Sequence, residues 1–466
     1  MKSKDNYIIT SIKKIYNRDY LYTAVSEKPN AMQIMFDEKN KFELYDEINF
    51  NLDVKKENKN IVKEGKIDRK ECNNIIDIII SEDIKRINSI APSSKNEELN
   101  KVTEKLLPEL KNVVIRIIKN ISTGAPIIVR FHNDSDGCSG ALALYKSLNN
   151  FMNRKNISSA HIFWRINKSI AYSVDALYED KIIINQYNSS EKPLLLIIDF
   201  GTAEESIDAL NLKKDFDIIM LDHHPIFDNF QTKNIDVYIN PWNYNGDSNY
   251  TAGFLAGVAA ELISDVNVKP LMDASLIGDH SIYCDLKNKN AEKISVVLDY
   301  ITGKKQNFSI ENTLKIIDDT DILEKNFKHS TQLFESAISS ALKHIKRYKG
   351  ADGILIFVLD FNHVERIEDD FPLPGRFSSK LHDKIEELNG PNLTIVHYGS
   401  FISLRLSNAL VDKFNMLKKL DEFKITNEYV YSAGGHNAAA SIKINKEYIK
   451  PVLNSLLNFF GVNNKI

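Results

Sequence analysis

Residues 131–144 read FHNDSDGCSGALAL, with His132, Asp134 and Asp136 at alternate positions just before Gly137, Ser139 and Gly140. On an extended backbone alternate residues share one face. Two carboxylates and an imidazole crowded there repel, or stay wet, unless something positive sits between them. The pattern recurs: LLLIIDFG ends in Asp199 and Gly201, FDIIMLDHH ends in Asp222, His223 and His224, and LIGDHS puts Asp279 after a further apolar stretch. One aspartate at a strand end is ordinarily a cap or turn residue. Three successive strands ending in carboxylates, two of them with histidines, fit a shared ligand set instead. Carboxylate and imidazole donors favour Mn²⁺ or a similar divalent ion, and without a cysteine ligand a structural zinc site is disfavoured. The donors suffice for two ions about 3.5–4 Å apart, the spacing of hydrolytic two-metal sites. One carboxylate must then bridge, and Asp199, from a middle strand, is the natural choice. Such a pair activates water and stabilises charge on a phosphoryl oxygen. The small residues after Asp136 let a helix start close by, its N-terminal dipole favouring an anionic phosphate.

The elements that must position these residues are legible as patterns. PIIVRF, HIFWRI, LLLIIDF, FDIIMLD and VYIN are short β-branched runs with helical stretches between several of them, the signature of a buried parallel sheet with crossover helices. In open α/β folds ligands bind beyond the carboxyl ends of the strands, where these runs carry their acids. Upstream, YIITSIKKI, YLYTAVSE, AMQIMFD and DEINFNLDV predict an OB-like β module over residues 1–54. Helical period over 68–120 predicts a packing or spacer element within a linker spanning 55–122, and 309–348 is helical again. Residues 351–466 alternate strands and helices, which predicts a second α/β domain.

Composition bounds the rest. The 466 residues have room for two to four domains, and 43% hydrophobic with 26% charged residues is ordinary for a globular protein. No apolar run approaches the roughly 20 residues that span a bilayer, so no membrane role is expected. The opening MKSKDNYIITSIKKIYNRDY has no signal-peptide core. Three scattered cysteines, Cys72, Cys138 and Cys284, form no zinc spacing or disulfide framework, so a cytoplasmic setting is expected. A net charge of −3 excludes a generally basic nucleic-acid binder; a polyanion must be met by local basic patches or bound metal.

The order His-x-Asp-x-Asp-Gly, Ile-Asp-Phe-Gly, Asp-His-His resembles the DHH phosphoesterase superfamily, whose third motif is the triplet at 222–224. INPWNYNGDSNYTAG (239–253) resembles the stretch that follows it in archaeal relatives of the RecJ exonuclease, and LIGDHS resembles their fourth motif. SAGGHNAAASI (432–442) resembles the Gly-Gly-His motif of the DHH-associated C-terminal domain, and GSFISLRLSN (399–408), carrying Arg405, resembles its substrate-contacting strand. The resemblance covers roughly residues 120–466. It implies an α/β protein with a parallel-sheet DHH catalytic domain (123–305), connecting helices (306–348) and a smaller α/β DHH-associated substrate-binding domain (349–466). His132, Asp134, Asp136, Asp199, His223 and Asp279 would be metal ligands. Asp222 would orient His223 from behind or touch a metal. His224 would contact the scissile phosphate or help the leaving group, completing a catalytic set with Asp134, Asp136, Asp199 and His223. Arg405 and His436 would hold a substrate phosphate, with Gly434 and Gly435 admitting close approach.

The resemblance further implies two Mn²⁺ ions, with Mg²⁺ as a substitute. The expected activity is that of a RecJ-like exonuclease on single-stranded DNA or RNA in repair or replication, partnered by a helicase or replisome component. Three departures stand out: His132 replaces the aspartate of bacterial RecJ, as in archaeal relatives; Ala440 fills a usual glycine position; and no zinc finger precedes the domain. The N-terminal β module nevertheless resembles the OB part of the helicase-partnered archaeal nucleases, which favours the Hef-associated over the GINS-associated type. The cationic KHIKRYKG (343–350) either tracks a nucleic-acid backbone or is the solvated end of a helix. Two rival functions are a nanoRNase-like phosphodiesterase of oligonucleotides or cyclic dinucleotides, and a non-catalytic replisome scaffold.

Overall fold

The computed structural model describes residues 6–14, 20–26, 33–37, 42–52, 59–92, 94, 96–212, 215–226, 230, 232–304, 308–368, 371–412, 414, 416–435 and 438–462. The chain divides into two units: Met1–Leu298 with Phe308–Leu323, and Asp299–Asn307 with Glu324–Ile466.

The first unit opens with β1 (Asn6–Lys14), β2 (Tyr20–Val25), β3 (Gln33–Asp37), β4 (Asp46–Leu52) and β5 (Lys59–Lys66). They are antiparallel, in the order β3-β2-β1-β4-β5. This suits the partly open Greek-key barrel expected of an OB-like module, with Ile9, Tyr22, Ala24 and Ile48 in its core. Among the described residues no ladder joins β3 to β5. Four of the strands follow the sequence pattern; β5 does not, because half of KNIVKEGK is charged. Pairing with β4 rather than local propensity holds it as a strand, so the stretch read as a helical linker begins with a strand.

Helices α1 (Arg69–Ser89) and α2 (Glu97–Thr123) come next. In α2 the residues Leu99, Leu106, Leu110, Val113, Ile117 and Ile121 are buried, a stripe at helical spacing that supplies its core face. Asn96 caps its first turn, and Gly124, at φ 69°, ends it. The α/β core follows: β6 (Ile127–His132), α3 (Ser135–Lys155), β7 (Ile162–Asn167), α4 (Val174–Ile184), β8 (Tyr187–Ser189), β9 (Leu194–Ile198), α5 (Ile207–Asn211), β10 (Asp217–Leu221), β11 (Val237–Ile239), α6 (Ala252–Ile263), α7 (Lys269–Gly278), α8 (Lys289–Thr302) and α9 (Ile310–Asp318). The sheet order is β11-β10-β9-β6-β7, parallel throughout. Its first strand thus lies between its second and third, so the chain winds away in both directions from the β6/β9 seam. That seam is the switch point at which doubly wound sheets open a crevice beyond their carboxyl ends.

β8 leaves this sheet and pairs antiparallel with β1. The Thr10 hydroxyl donates to the Thr123 carbonyl at 2.9 Å, and Ser190 N–H donates to the Thr10 carbonyl at 2.8 Å. Thr123 and Ser190 lie just before β6 and β9. The β module is therefore docked on the amino-terminal edge of the parallel strands, opposite their carboxyl ends.

The second unit contains most of α10 (Thr320–Ala341), then β12 (Lys346–Lys349), β13 (Leu355–Asp360), α11 (Pro374–Asn389), β14 (Asn392–Tyr398), β15 (Phe401–Leu406), α12 (Asn408–Val411), α13 (Met416–Thr426), β16 (Val430–Gly435), β17 (Ala439–Ile444) and α14 (Ile449–Phe459). Its sheet runs β12-β13-β14-β15-β17-β16, parallel only between β13 and β14. The cationic segment forms edge strand β12 rather than a helix end, with Lys346, Arg347 and Lys349 exposed. Among the described residues no helix is long and apolar enough to cross a membrane.

Candidate metal centre

The acids and histidines singled out in the first unit lie at or just past the carboxyl ends of strands, or at the end of a helix. β6 ends in His132, and Asp134 is the N-cap of α3, its Oδ1 accepting from Gly137 N–H at 3.1 Å. A Cβ on Gly137 would lie 2.7 Å from the His132 backbone nitrogen and oxygen, so glycine is what lets the helix turn so tightly against the strand end. Asp136 follows in the first turn of α3, fully buried. Its carboxylate accepts from Ala252 N–H at 3.0 Å and Gly253 N–H at 2.9 Å, the start of α6, and from the Ser275 hydroxyl. A Cβ on Gly253 would stand 2.7 Å from Asp136 Oδ1, so this approach also needs glycine. Asp199, just past β9, takes φ 66°, a left-handed conformation that aspartate tolerates better than most residues. Asp222 and His223 follow β10, and Asp279 is the C-cap of α7 rather than a strand residue. A helix C-terminus favours a cation.

These side chains form three groups whose ligand atoms lie within 4.8 Å of one another: His132, Asp134 and Asp199; Asp136, His223 and Asp279; and Asp199, His223 and His224. Asp199 and His223 each belong to two of them. His223 Nε2 lies 3.2 Å from Asp199 Oδ1, 3.2 Å from Asp279 Oδ2 and 3.7 Å from Asp136 Oδ2. Its Nδ1 is 2.7 Å from the Ser248 carbonyl. A carbonyl can only accept, so Nδ1 carries the proton and Nε2 faces the acids. Both Asp199 oxygens and His223 Nε2 are buried without a hydrogen-bond partner. Buried polar atoms left so are costly, and a divalent cation among them is the group this donor set fits.

The electrostatics agree. Burial raises the Asp136 carboxyl to about 7, with the Asp199 charge adding to the effect. Burial also raises Asp199, and Asp134 pushes the same way. Burial pulls His132 and His223 down, but the surrounding carboxylates outweigh it and hold both well above the usual imidazole range. Without metal the cluster retains protons, which a bound cation must displace.

Asp222 stands outside the three groups. Its Oδ1 accepts from His223 N–H at 2.8 Å and His224 N–H at 3.2 Å, and pairs with His224 Nδ1 at 2.8 Å. Burial disfavours its charge, yet His224 leads the interactions that bring it down to about 2. A fixed anion thus braces His224, whose side chain stays 41% exposed and accessible to a substrate.

In the second unit, Arg405 on β15 donates through Nε to the Ser379 hydroxyl at 2.9 Å and through Nη1 to the Leu404 carbonyl at 3.0 Å. Burial, reinforced by Arg376, lowers it to about 10, still charged at neutral pH. Arg405 registers with Ala439 on β17, and Gly434 and Gly435 on β16 register with Ser441 and Ala440 of the same strand. Arg405 and the two glycines therefore lie near one end of the sheet. His436 lies outside the described residues. Sequence patterns missed Ser275 and the Ala252–Gly253 amides that hold Asp136, the Ser248 carbonyl that sets the His223 tautomer, and Trp242, whose indole N–H donates to the His223 carbonyl at 3.2 Å. The only signal was that most of them fall in or beside stretches 239–253 and 276–281.

Residues 126–279 match the family model described as the DHH family, N-terminal domain. Over 405 residues the chain is 27% identical to the uncharacterized protein MJ1198 of Methanocaldococcus jannaschii, covering 74% of this chain and 52% of that protein. The chain thus spans about half the length of the curated relative it matches. A solved structure described as a member of the s1p family of ribosomal proteins, PF0399 DHH domain, superposes with a TM-score of 0.69 at 23% identity. It covers 84% of this chain and 98% of that one, and so shares the fold. A crystal structure of exonuclease RecJ bound to manganese gives a TM-score of 0.48 at 13% identity, over 75% of this chain and 94% of that one.

Proposed function

Because residues 126–279 match the DHH family model, we propose that this chain is a DHH-type metal-dependent phosphodiesterase that trims single-stranded DNA or RNA from an end. The observation that carries this is Asp199: a buried carboxylate with no hydrogen-bond partner, shared between the His132–Asp134 group and the His223–His224 group, and 3.2 Å from the His223 nitrogen that also meets Asp136 and Asp279. His132, Asp134 and Asp199 would hold one divalent ion, and Asp136, Asp199, His223 and Asp279 a second. Mn²⁺ is the expected ion, with Mg²⁺ as a substitute. Bound there, the ions would supply positive charge to a phosphoryl oxygen and lower the pKa of attacking water. The chain's own residues do the rest. Ser248 and the α6 amides keep His223 and Asp136 aimed. Asp222 keeps His224 oriented and inclined to protonation, so that it can donate to the scissile phosphate or the leaving oxygen. Arg405, with Gly434, Gly435 and His436, would bind a substrate phosphate. A role in repair or replication, a helicase or replisome partner and a cytoplasmic setting belong to the same proposal.

The test is a time course on single-stranded DNA and RNA labelled at either end, with Mn²⁺, Mg²⁺ or EDTA. Progressive mononucleotide release from one end, abolished by EDTA, is expected; an unchanged substrate in every metal would refute it. A second reading, cleavage of dinucleotides and very short oligonucleotides, is favoured by the β module docking on the sheet edge away from the ligands, which removes one reason to demand a long strand. Comparing a dinucleotide with a 20-mer separates the two. The intact ligand groups stand against a purely scaffolding role.

A further inference from the structure

We infer that Trp242 forms a stacking subsite for the base of a nucleotide bound beside the metal centre; this rests on the proposed action on nucleic acid. Trp242 is 45% exposed. The only other tryptophan, Trp164, packs edge-on against Tyr145 with ring centroids 5.4 Å apart. An aromatic face that large left in water forfeits burial energy, yet the ring is firmly held. Pro241 opens the short turn that carries it, and Trp242 N–H donates to the Asn240 side chain at 3.0 Å. The indole Nε1–H donates to the His223 carbonyl and the Ser248 hydroxyl, each at 3.2 Å. Ser248 donates in turn to the same carbonyl at 2.8 Å and accepts the His223 ring proton on its own carbonyl.

The polar atom of the indole is therefore satisfied inside the protein, and its orientation is tied to the residue whose other nitrogen meets Asp199. What remains for a ligand is π surface. A second exposed apolar residue sits on the adjoining loop: Ile282, 74% exposed, whose N–H donates to the Asn249 side chain at 3.0 Å. The loops following the Asp-His-His triplet and Asp279 are thus tied at Asn249, and each presents apolar surface. A ligand made only of phosphate has no use for this surface. A nucleobase does, and because every base has a π face, the subsite accepts any sequence.

The experiment uses the full chain carrying W164F, so that Trp242 is the sole indole. Titration with a slowly cleaved phosphorothioate 6-mer in Mn²⁺, read before turnover, should quench its fluorescence saturably, and the same 6-mer with abasic sugars at both ends should not. On cleavable versions, W242A should raise KM roughly ten-fold on the ordinary 6-mer but less than about two-fold on the abasic one, and W242F should recover most of the loss. Unchanged manganese content shows that W242A keeps the metal site. Equal losses on both substrates, or no quench, with a parent that cleaves the 6-mer, overturn the subsite alone. A parent that neither binds nor cleaves it overturns the functional reading and the subsite with it.

Discussion

Replacing Asp199 tests the metal assignment most directly, and the structure selects the substitution. Alanine at φ 66° would add backbone strain of about 1–2 kcal/mol, confusing lost chemistry with lost fold. Asparagine is isosteric and tolerates the left-handed region, so Asp199→Asn removes a charge and little else. That carboxylate serves two ligand groups. Each charge-assisted contact to it is worth about 1.5–3 kcal/mol, so losing two amounts to roughly 3–6 kcal/mol. At about 1.4 kcal/mol per factor of ten, turnover of an end-labelled oligonucleotide with Mn²⁺ should fall on the order of 10²–10⁴-fold. Bound manganese, measured by elemental analysis after desalting, should fall with it. The metal-free variant should melt no lower than the parent, because burial and Asp134 both oppose ionisation of this carboxyl. Near-parental turnover with Mn²⁺ would refute the shared-ligand assignment.

Metal-free stability should fall as pH rises. Asp136, Asp199, His132 and His223 all have folded-state values above their ordinary ones. The folded state therefore binds protons more tightly than the unfolded chain, and that stabilisation is lost as pH climbs from the carboxylate range through about 7 for Asp136 and higher for the histidines. Saturating Mn²⁺ should flatten the slope; calorimetry in EDTA showing the opposite slope would contradict the cluster. Arg405→Ala should raise KM about ten- to a hundred-fold while manganese content holds; loss of metal together with activity would make Arg405 structural. Deleting residues 1–66 should lower Tm and reduce cleavage of a 4-mer and a 40-mer alike, because β1 is the partner of β8. A loss confined to the 40-mer would instead assign strand binding to the β module.

The proposed ligands stand out in the sequence because their signal is local. An apolar β-branched run that ends in Asp or His states both its burial and what it delivers, and His132, Asp134, Asp136, Asp199 and His223 all read that way. So did the parallel sheet, since buried strands alternating with helices have few other solutions. The order of those strands has no local code. Only the assembled sheet sets β6 beside β9, and so brings Asp199 to His132. Nor does sequence spacing tell which of two adjacent histidines turns inward. The Ser248 carbonyl commits His223 to the cluster, while Asp222 turns to His224. Strand β5 was hidden because its residues favour nothing strongly and its partner supplies the hydrogen bonds. The β module itself was predicted, but its seat at the far edge of the sheet was not, for docking depends on Thr10, Thr123 and Ser190 meeting across long stretches of chain. Chemistry carried by one strand end can be read along the chain; contacts between distant segments are decided only when hydrogen bonding and close packing must be satisfied everywhere at once.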